Sequence, residues 1–273
     1  MPRLTSGDGT ELFYKDWGAG RPIVFSHAWP LSADVWDPQL VWFASRGFRA
    51  IAHDRRGHGR SSQGWTGHTM DAYAADLAGL LERLDLRDVV LVGHSAGGGE
   101  VVRYLARHGE DRVAAVVLVG AVVPGLLETP SNPGGVSGAV FDRLREEILR
   151  DRAELFRELA VAFFGADRLG SKVSEGLLQS FWLWAMQAGT GALHDGIAAF
   201  AETDFSSDLA AVSVPTLVIH ADDDRIAPIS VSALRAIRLL GNSTLSIYPG
   251  ASHGLPLTHA NRLNQDVLDF IGP

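Results

Sequence analysis

The chain has 273 residues, of which 46% are hydrophobic and 21% are charged, and these values are typical of a globular protein with one large core. The formal net charge of -8 at pH 7 makes nucleic acids and anionic membrane surfaces unfavourable partners, so we expect neither. The sequence contains no cysteine, which excludes disulfide bonds, thiolate zinc sites and haem–thiolate or iron–sulfur centres. No apolar run reaches the ~18 residues of a membrane helix, and the first residues lack the apolar core of a signal peptide, so we expect a cytoplasmic protein.

Short aliphatic segments alternate with longer amphipathic ones along most of the chain. This alternation predicts an α/β fold with a mostly parallel central sheet and helices on both faces. In chain order, the predicted strands lie near Glu11–Trp17, Pro22–Ser26, Arg49–His53, Asp88–Gly93, Ala114–Gly120, Val214–His220 and Thr244–Tyr248. The predicted helices between and after them lie near Val35–Arg46, Met70–Leu84, Gly98–His108, Ser230–Leu240 and Ala260–Ile271.

The alternation stops between residues 124 and 212, where a segment rich in proline and glycine precedes helical patterns without any strand pattern. The predicted helices here include Phe141–Leu149, Ala153–Phe164 and Leu177–Gln187. We therefore expect a helical cap at residues 124–212, inserted into an α/β core formed by residues 1–123 and 213–273. The aromatic residues of the cap either pack against the core or line a substrate pocket, and they include Phe163, Phe164, Phe181, Trp182 and Trp184.

The segment after the fourth predicted strand carries the clearest chemical signal. It reads Gly93–His94–Ser95–Ala96–Gly97, a G-x-S-x-G turn between an aliphatic strand and a helix. A turn of this kind is called a nucleophile elbow. Such a turn strains the backbone of its serine, and Gly93 and Gly97 leave the room that the turn needs. We expect the Ser95 hydroxyl to stand above the sheet edge, where the first N–H groups of the helix face any anion formed there. Ser95 is therefore the candidate nucleophile.

A serine hydroxyl is a weak nucleophile near neutral pH, so it needs a base and a third group that orients the base. In this kind of fold the three residues follow in the chain order serine, acid, histidine. His253 lies in a turn directly after the last predicted strand and is the candidate base. His259, at the start of the last helix, is interpreted as a surface residue.

Three consecutive aspartates follow the sixth predicted strand. Asp224 ends the run, nearest to the turn into the next helix, and is the candidate partner of His253, with Asp222 as the alternative. An acidic run is also common in solvated turns. A calcium site formed by Asp222, Asp223 and Asp224 is disfavoured because oxygen ligands at alternate positions are missing, so we expect no metal.

Attack of a serine on a carbonyl carbon forms a tetrahedral oxyanion, which needs hydrogen-bond donors to stabilise it. The N–H of Ala96, directly after the nucleophile, is one candidate. The N–H of Trp29, in the loop after the second predicted strand, is the other.

The glycine-rich segment at residues 53–62 has two interpretations. Its residues His53, Asp54 and His58 could hold a metal ion. A tight loop in which Asp54 and the arginines form local hydrogen bonds explains the segment more simply.

Five motifs resemble those of the α/β-hydrolase superfamily: His27–Pro30, Asp54–Gly59, Gly93–Glu100, Asp224–Pro228 and Ser252–Gly254. Within the superfamily, the chain is similar to the bacterial cofactor-free haloperoxidases, or perhydrolases, and to their aryl esterase relatives. This closer likeness rests on Trp29–Asp34, Gly97–Val101 with Arg103–Tyr104, and Ala199–Phe205.

The family's catalytic serine, aspartate and histidine fall on Ser95, Asp224 and His253, which favours Asp224 over Asp222. Two positions depart from the usual pattern. Ala28 replaces a glycine of the oxyanion loop and Ala96 replaces a methionine, so the space beside the acyl group is changed.

The resemblance implies that an ester or carboxylic acid acylates Ser95 and that the acyl group then passes to water or hydrogen peroxide. The peracid formed with peroxide oxidises chloride or bromide away from the protein, so no haem, vanadium, flavin or other cofactor is required. In the family, proline at the position of Pro30 accompanies perhydrolysis, because it sets where the Trp29 carbonyl points. Relatives often assemble, so a homo-oligomer is a further expectation.

Two alternatives stay open. The same three residues could open a small cyclic amide in a lactamase or amidase, or the chain could be a small-molecule binder without turnover. Haloalkane dehalogenation is excluded, because that chemistry places a carboxylate where Ser95 stands.

Overall fold

The computed structural model describes residues 2–272, which form an eight-stranded sheet with helices packed against it. The strands are β1 (Arg3–Thr5), β2 (Glu11–Gly18), β3 (Arg21–Ser26), β4 (Phe48–His53), β5 (Val89–His94), β6 (Val113–Val119), β7 (Thr216–Ala221) and β8 (Ser243–Tyr248). Across the sheet they run in the order β1-β2-β4-β3-β5-β6-β7-β8. β2 pairs antiparallel with β1 and β4, and the other neighbouring strands are parallel.

Strand β5 lies in the middle of the sheet, between β3 and β6. All six of its residues are buried, so both faces of the sheet are covered at this point. Because β3, β5, β6 and β7 are parallel, their carboxyl ends meet at one edge. The residues that follow these strands are therefore close together in space, and this edge is where a ligand site forms in such sheets.

The helices are α1 (Asp37–Ala44), α2 (Met70–Arg83), α3 (Ala96–His108), α4 (Gly138–Phe164), α5 (Glu175–Met186), α6 (Thr190–Ala201), α7 (Ser206–Ala211), α8 (Ala233–Ala236), α9 (Leu255–Thr258) and α10 (Ala260–Ile271). Helix α3 contacts α2 and α7, and α1 contacts α10. No helix within residues 2–272 combines the length and the apolarity that crossing a bilayer requires.

The predicted fold class is confirmed, and each predicted strand has its counterpart in the sheet. At several places the structure differs from the predicted elements. The sequence gives no sign of β1, whose three residues are too few for a pattern. The predicted helix at Val35–Arg46 is divided, because a 3-10 turn at Ala33–Trp36 precedes α1 and Pro38 fits only the first turn of α1.

The predicted helix at Ser230–Leu240 shrinks to the four residues of α8. The Ser232 hydroxyl donates to the carbonyl of Pro228 at 2.7 Å, and the backbone of Ser232 is not helical. A side chain that bonds the local backbone competes with helix formation in this way.

Helices α4 to α7 lie between β6 and β7, where the sequence predicts the cap. The two predicted helices Phe141–Leu149 and Ala153–Phe164 lie on either side of a break within α4, where the backbone of Asp151 is not helical, with φ -159° and ψ 79°. The Asp151 carboxylate accepts the N–H of Glu154 at 3.1 Å, so it begins the second half of α4 as an N-cap does. Helix α6 was not predicted as a separate helix, because Gly191 and Gly196 weaken its pattern.

Candidate active site

Ser95 stands at the turn between β5 and α3, with a φ of 56° and a ψ of -119°. Its N–H donates to the carbonyl of Val119 at 3.0 Å, so the turn is tied to the end of β6. A methyl group on Gly93 would lie 2.4 Å from the carbonyl oxygen of Gly97, and one on Gly97 would lie 2.2 Å from that of Ser26. Real side chains do not approach so closely, so only glycine fits at both positions.

His253 and Asp224 form a buried hydrogen-bonded pair. The Nδ1–H of His253 donates to Oδ2 of Asp224 at 2.6 Å. Both side chains are shielded from solvent, since neither exposes any measurable surface. Nε2 of His253 is buried and has no hydrogen-bond partner within residues 2–272, so this nitrogen is free to accept a proton.

The loop of His253 is held at the end of β5, where Ser95 stands. The Nε2–H of His94, the residue before Ser95, donates to the carbonyl of His253 at 2.9 Å. The two imidazole rings lie 5.0 Å apart between centroids. Burial, together with His253, lowers the pKa of His94 to about 3, so its ring stays neutral and serves as a fixed donor. No role for His94 is predicted from the sequence, because the position before the serine in the turn motif accepts many residues.

The carboxylate of Asp224 is kept ionised although it is buried. Burial by itself would raise the pKa of Asp224, but His253 and the hydrogen bonds to the carboxylate lower it below its ordinary value. The N–H groups of Ile226 and Ala227 donate to Oδ1 at 2.9 Å and 2.8 Å. Oδ1 is therefore occupied by the backbone, and Oδ2 faces the imidazole.

The three consecutive aspartates have three different partners, which distinguishes the two candidate acids. Asp222 accepts the N–H of Gly250 at 2.7 Å, and Asp223 forms a salt bridge with Arg168 at 2.8 Å. Among the three, Asp224 meets His253. Because these carboxylates point to different partners, the structure does not bring them together around one ion.

The proposed oxyanion donors lie on two neighbouring segments of the sheet edge. Ala96 is the first residue of α3, where an N–H has no acceptor inside the helix. Trp29 lies in the loop after β3, and its N–H donates to no other atom of the described residues. The peptide bond between Trp29 and Pro30 is cis.

A buried ionic network supports the oxyanion loop. Nη2 of Arg55 donates to the carbonyl of His27 at 2.7 Å, and Nε donates to Glu100 at 2.7 Å. The carboxylate of Glu100 also meets His53 Nε2 at 2.8 Å and the Ser26 hydroxyl at 3.1 Å. Burial opposes ionisation, but Arg55 and His53 outweigh it and lower the pKa of Glu100 to about 2. The resemblance includes Glu100 without a role, and the structure links it to the oxyanion loop through Ser26 and Arg55.

The glycine-rich segment at residues 53–62 forms the predicted local hydrogen bonds between Asp54 and Arg60, but Arg55 and Arg56 bind distant carboxylates instead. Asp54 accepts the N–H groups of Ala33 and Arg60, both at 2.7 Å. Arg56 binds Asp76 through two donors, at 2.6 Å and 2.7 Å. These bonds account for the carboxylate of Asp54 and the guanidinium of Arg56, whereas Nδ1 of His53 and Nε2 of His58 are buried without a hydrogen-bond partner among the described residues.

Phe163 is the cap residue that the structure places against the candidate base. Its ring stands edge-on to the imidazole of His253, with centroids 4.8 Å apart and an angle of 86°. Phe181 lies behind Phe163, at 4.9 Å between centroids. Trp182 packs between α5 and α4, and its Nε1–H donates to the carbonyl of Ala153 at 2.9 Å. A substrate contact of Phe181 or Trp182 therefore stays a prediction.

His259 lies outside the site, as expected. It is half-buried at the start of α10, where its ring meets that of Tyr248 at 5.8 Å between centroids. Its Nδ1 is 2.9 Å from the hydroxyl of Thr258. No contact connects it to His253 or Asp224 within the described part of the chain.

Comparison with known proteins adds independent support. Residues 21–260 match the family described as alpha/beta hydrolase fold. The chain is 53% identical to a non-heme haloperoxidase of Rhodococcus erythropolis, with 99% of each chain covered. It is 45% identical to a bifunctional esterase/perhydrolase of Acinetobacter calcoaceticus, again with 99% of each chain covered.

A solved structure agrees with these relatives. The bromoperoxidase of Bacillus anthracis superimposes with a TM-score of 0.94 and 37% sequence identity, over 99% of each chain. The full-length matches, together with the elbow at Ser95 and the fold around it, show that this chain belongs to the α/β-hydrolase fold family, among its non-heme haloperoxidases and esterase/perhydrolases.

Proposed function

We propose that this protein is a serine hydrolase that cleaves carboxylic esters through an acyl-enzyme and passes the acyl group to water or to hydrogen peroxide. The observation that carries the proposal is the buried 2.6 Å bond between His253 and Asp224, which leaves Nε2 of His253 free beside the serine elbow. Full-length relatives named haloperoxidase and esterase/perhydrolase support the same activity.

In the first half of the reaction, Oγ of Ser95 attacks the ester carbonyl while Nε2 of His253 takes the hydroxyl proton. Asp224 stabilises the imidazolium that forms. The N–H groups of Ala96 and Trp29 donate to the oxygen that becomes negative in the tetrahedral intermediate. The C–O bond to the alcohol then breaks, and the alcohol leaves with the proton from His253.

In the second half, water or hydrogen peroxide loses a proton to His253 and attacks the acyl carbon. The bond to Oγ breaks, Ser95 regains the proton, and a carboxylic acid or a peracid leaves. The peracid then transfers its terminal oxygen to a halide ion outside the protein, giving hypohalous acid and the carboxylate. Hydrogen peroxide is the source of the oxidising equivalents, so the protein's own residues need only to transfer an acyl group and protons.

The surroundings of Ser95 favour small acyl groups. Ser95 exposes 5% of its surface, His253 none and Trp29 8%, so the reacting atoms are nearly enclosed. We propose Phe163 as one wall of the acyl pocket, because it already contacts the candidate base. Pro30 contributes by fixing the position of the Trp29 carbonyl, which accepts a hydrogen bond from peroxide in the second half of the reaction.

A fluorophosphonate probe tests the nucleophile directly. The wild-type protein and a control variant at an exposed serine, Ser45→Ala, should be labelled, and Ser95→Ala should not be labelled. An unlabelled wild type would contradict the proposal and favour a binding protein without turnover.

Product assays test the reaction. The wild type should hydrolyse short aryl esters and should brominate phenol red in acetate with peroxide and bromide, and Ser95→Ala should lose both activities. Faster turnover of a bicyclic lactam than of any aryl ester would contradict the proposal and assign an amidase instead.

A further inference from the structure

The cap contacts both loops that carry the proposed acid and base. The loop after α4 contributes Arg168, whose Nη1–H donates to the carbonyl of Gly250 at 3.2 Å. Its Nη2–H donates to the carbonyl of Asp223 and forms a salt bridge with the Asp223 carboxylate at 2.8 Å. One guanidinium therefore bridges a loop that follows β7 and a loop that follows β8.

These two carbonyls stand close to the reacting pair along the chain. Asp223 immediately precedes Asp224, and Gly250 comes three residues before His253. The same two loops are also joined directly, because Asp222 accepts the N–H of Gly250. Both backbone groups of Gly250 are thus hydrogen-bonded: the N–H donates to Asp222, and the carbonyl accepts from Arg168.

The part of the Arg168 side chain between its backbone and its guanidinium packs against the end of α4. Gly165 directly follows α4, and its backbone is in the left-handed conformation, with φ 67° and ψ 38°. A methyl group on Gly165 would lie 2.8 Å from both Cδ and Nε of Arg168, so the arginine packs directly over this glycine. With 16% of its side chain exposed, Arg168 is largely covered by the segments it joins.

The end of α4 makes a second contact with the same loop. The N–H of Gly254 donates to the carbonyl of Phe163 at 2.9 Å. A methyl group on Gly254 would lie 2.2 Å from the ring of Phe164, so the loop after His253 and the cap are in close packing. The residues on both sides of His253 are therefore held by the last turn of α4 and the loop after it.

We propose that Arg168 is a positioning residue for the reaction, which sets the separation between Asp224 and His253 by bridging the backbones of their loops. This inference rests on the proposed function, because it concerns the same acid and base. The planar guanidinium suits the task, since it presents several donors in a rigid fork, whereas a lysine ammonium has no such geometry. Small displacements of reacting groups can reduce rates by about 100-fold, so a bridge of this kind affects turnover.

Three variants test the proposal in the full-length protein. Arg168→Gln removes the bridge, Arg168→Lys keeps the charge, and Arg225→Gln is the matched control. Arg225 also joins the loop after β7 to the loop after α4, through a salt bridge with Asp167 at 2.8 Å, but within the described residues it binds no carbonyl of the loops after β7 and β8. We expect Arg168→Gln to lower kcat for a short aryl ester by about tenfold, with KM changed less than about twofold. Arg168→Lys should recover part of kcat. Arg225→Gln should stay within about twofold of the wild type.

Proton NMR provides a readout that needs no turnover. The proton shared by His253 and Asp224 should give a resonance far downfield in the wild type and in Arg225→Gln. In Arg168→Gln this resonance should shift upfield or broaden, while circular dichroism shows a folded protein. If Arg168→Gln does not fold, the downfield resonance is compared between Arg168→Lys and Arg225→Gln. A shift or broadening in Arg168→Lys alone supports the positioning role, and identical resonances contradict it.

The outcomes separate the two proposals. A wild type without ester hydrolysis or probe labelling would contradict the proposed function, and the NMR signal would still report on Arg168. Normal kcat and an unchanged downfield resonance in both Arg168 variants would overturn the positioning role while leaving the hydrolase intact.

Discussion

Gly120 faces His253 so closely that a methyl group added to Gly120 would lie 3.4 Å from Nδ1 of the imidazole. The same methyl group would lie 3.5 Å from Oδ2 of Asp224. Gly120 directly follows β6 and has a φ of 49°, in the left-handed region that favours glycine. The backbone at the end of β6 therefore lies directly against the proposed acid and base.

We predict that Gly120→Ala lowers both stability and kcat. The left-handed backbone costs an alanine about 1 kcal/mol, and a backbone shift that relieves this strain would move a methyl group that contacts the hydrogen bond between His253 and Asp224. Gly47→Ala is the control, because Gly47 also has a positive φ, of 87°, but no atom lies within 4 Å of the added methyl group. Urea unfolding should show a loss in both variants, and ester hydrolysis should fall several-fold only in Gly120→Ala. Equal kcat values in the two variants would contradict the prediction.

Asp224→Asn and Asp222→Asn should have very different effects on turnover. An asparagine at position 224 cannot stabilise the imidazolium of His253 and favours the wrong tautomer, so kcat should fall by on the order of 10⁴-fold. An asparagine at position 222 keeps an oxygen that accepts the N–H of Gly250, so kcat should stay within about fivefold. Steady-state hydrolysis of an aryl ester measures both. The opposite ranking would assign Asp222 as the acid.

Phe163→Leu should reduce kcat in addition to stability. Leucine removes the edge-on aromatic contact with His253, which is worth about 1 kcal/mol in such pairs. Phe141→Leu is the control, because Phe141 is equally buried at the other end of α4 and packs on Phe200 instead. Thermal unfolding should show similar losses for both variants, whereas only Phe163→Leu should slow ester hydrolysis. An unaffected kcat in Phe163→Leu would show that the contact is purely structural.

Glu100→Gln should destabilise the fold strongly. Glutamine leaves the guanidinium of Arg55 buried without its counter-charge, which costs about 3–5 kcal/mol. Glu154→Gln breaks a solvent-exposed pair with Arg157 on α4 and should cost less than about 1 kcal/mol. Chemical denaturation of both variants at neutral pH measures the difference. A loss below about 1 kcal/mol in Glu100→Gln would mean that the network contributes little net stability.

Buried neutral histidines should make the fold sensitive to mild acid. Burial lowers the pKa of His58 to about 3, and burial together with His253 lowers the pKa of His94 to about 3, against an ordinary value of 6.5. Below pH 6.5 the unfolded chain binds a proton at each of these positions and the native protein does not. The free energy of unfolding therefore falls as the pH drops from about 6.5 to about 3, by about 1.4 kcal/mol per pH unit for each histidine.

Denaturation curves between pH 4 and 7 test this slope. His58→Asn should reduce it by about one proton's contribution, because one of the groups that titrate only in the unfolded chain is gone. His108→Asn, at an exposed position of α3, controls for the loss of a histidine as such. A slope in His58→Asn equal to that of the wild type would contradict the prediction.

Much of the fold could be predicted because its signals are local. The predicted strands that form β3 to β7 are short runs rich in apolar residues and are largely buried, and the composition of each run shows this. The helix at Ala260–Ile271 was predicted at the bounds that the structure has, because its apolar residues repeat with the helical period. The helix at Ser230–Leu240 was predicted too long, because the periodic pattern does not show that the hydroxyl of Ser232 bonds the nearby carbonyl of Pro228 and that the backbone of Ser232 is not helical.

The elbow at Ser95 was determined by the sequence alone, since the strand, the two glycines and the helix are consecutive and their sterics involve few other segments. The sequence favoured Asp224 over Asp222 as the proposed acid, but the partners of all three aspartates were decided only by the tertiary structure. Three neighbouring aspartates are alike in sequence, and each acquires its partner from a different part of the chain: Gly250, Arg168 and His253. Those partners come together because β7, β8 and the end of α4 converge at one edge of the sheet. Sequence spacing carries no information about that convergence, since it depends on how distant segments pack.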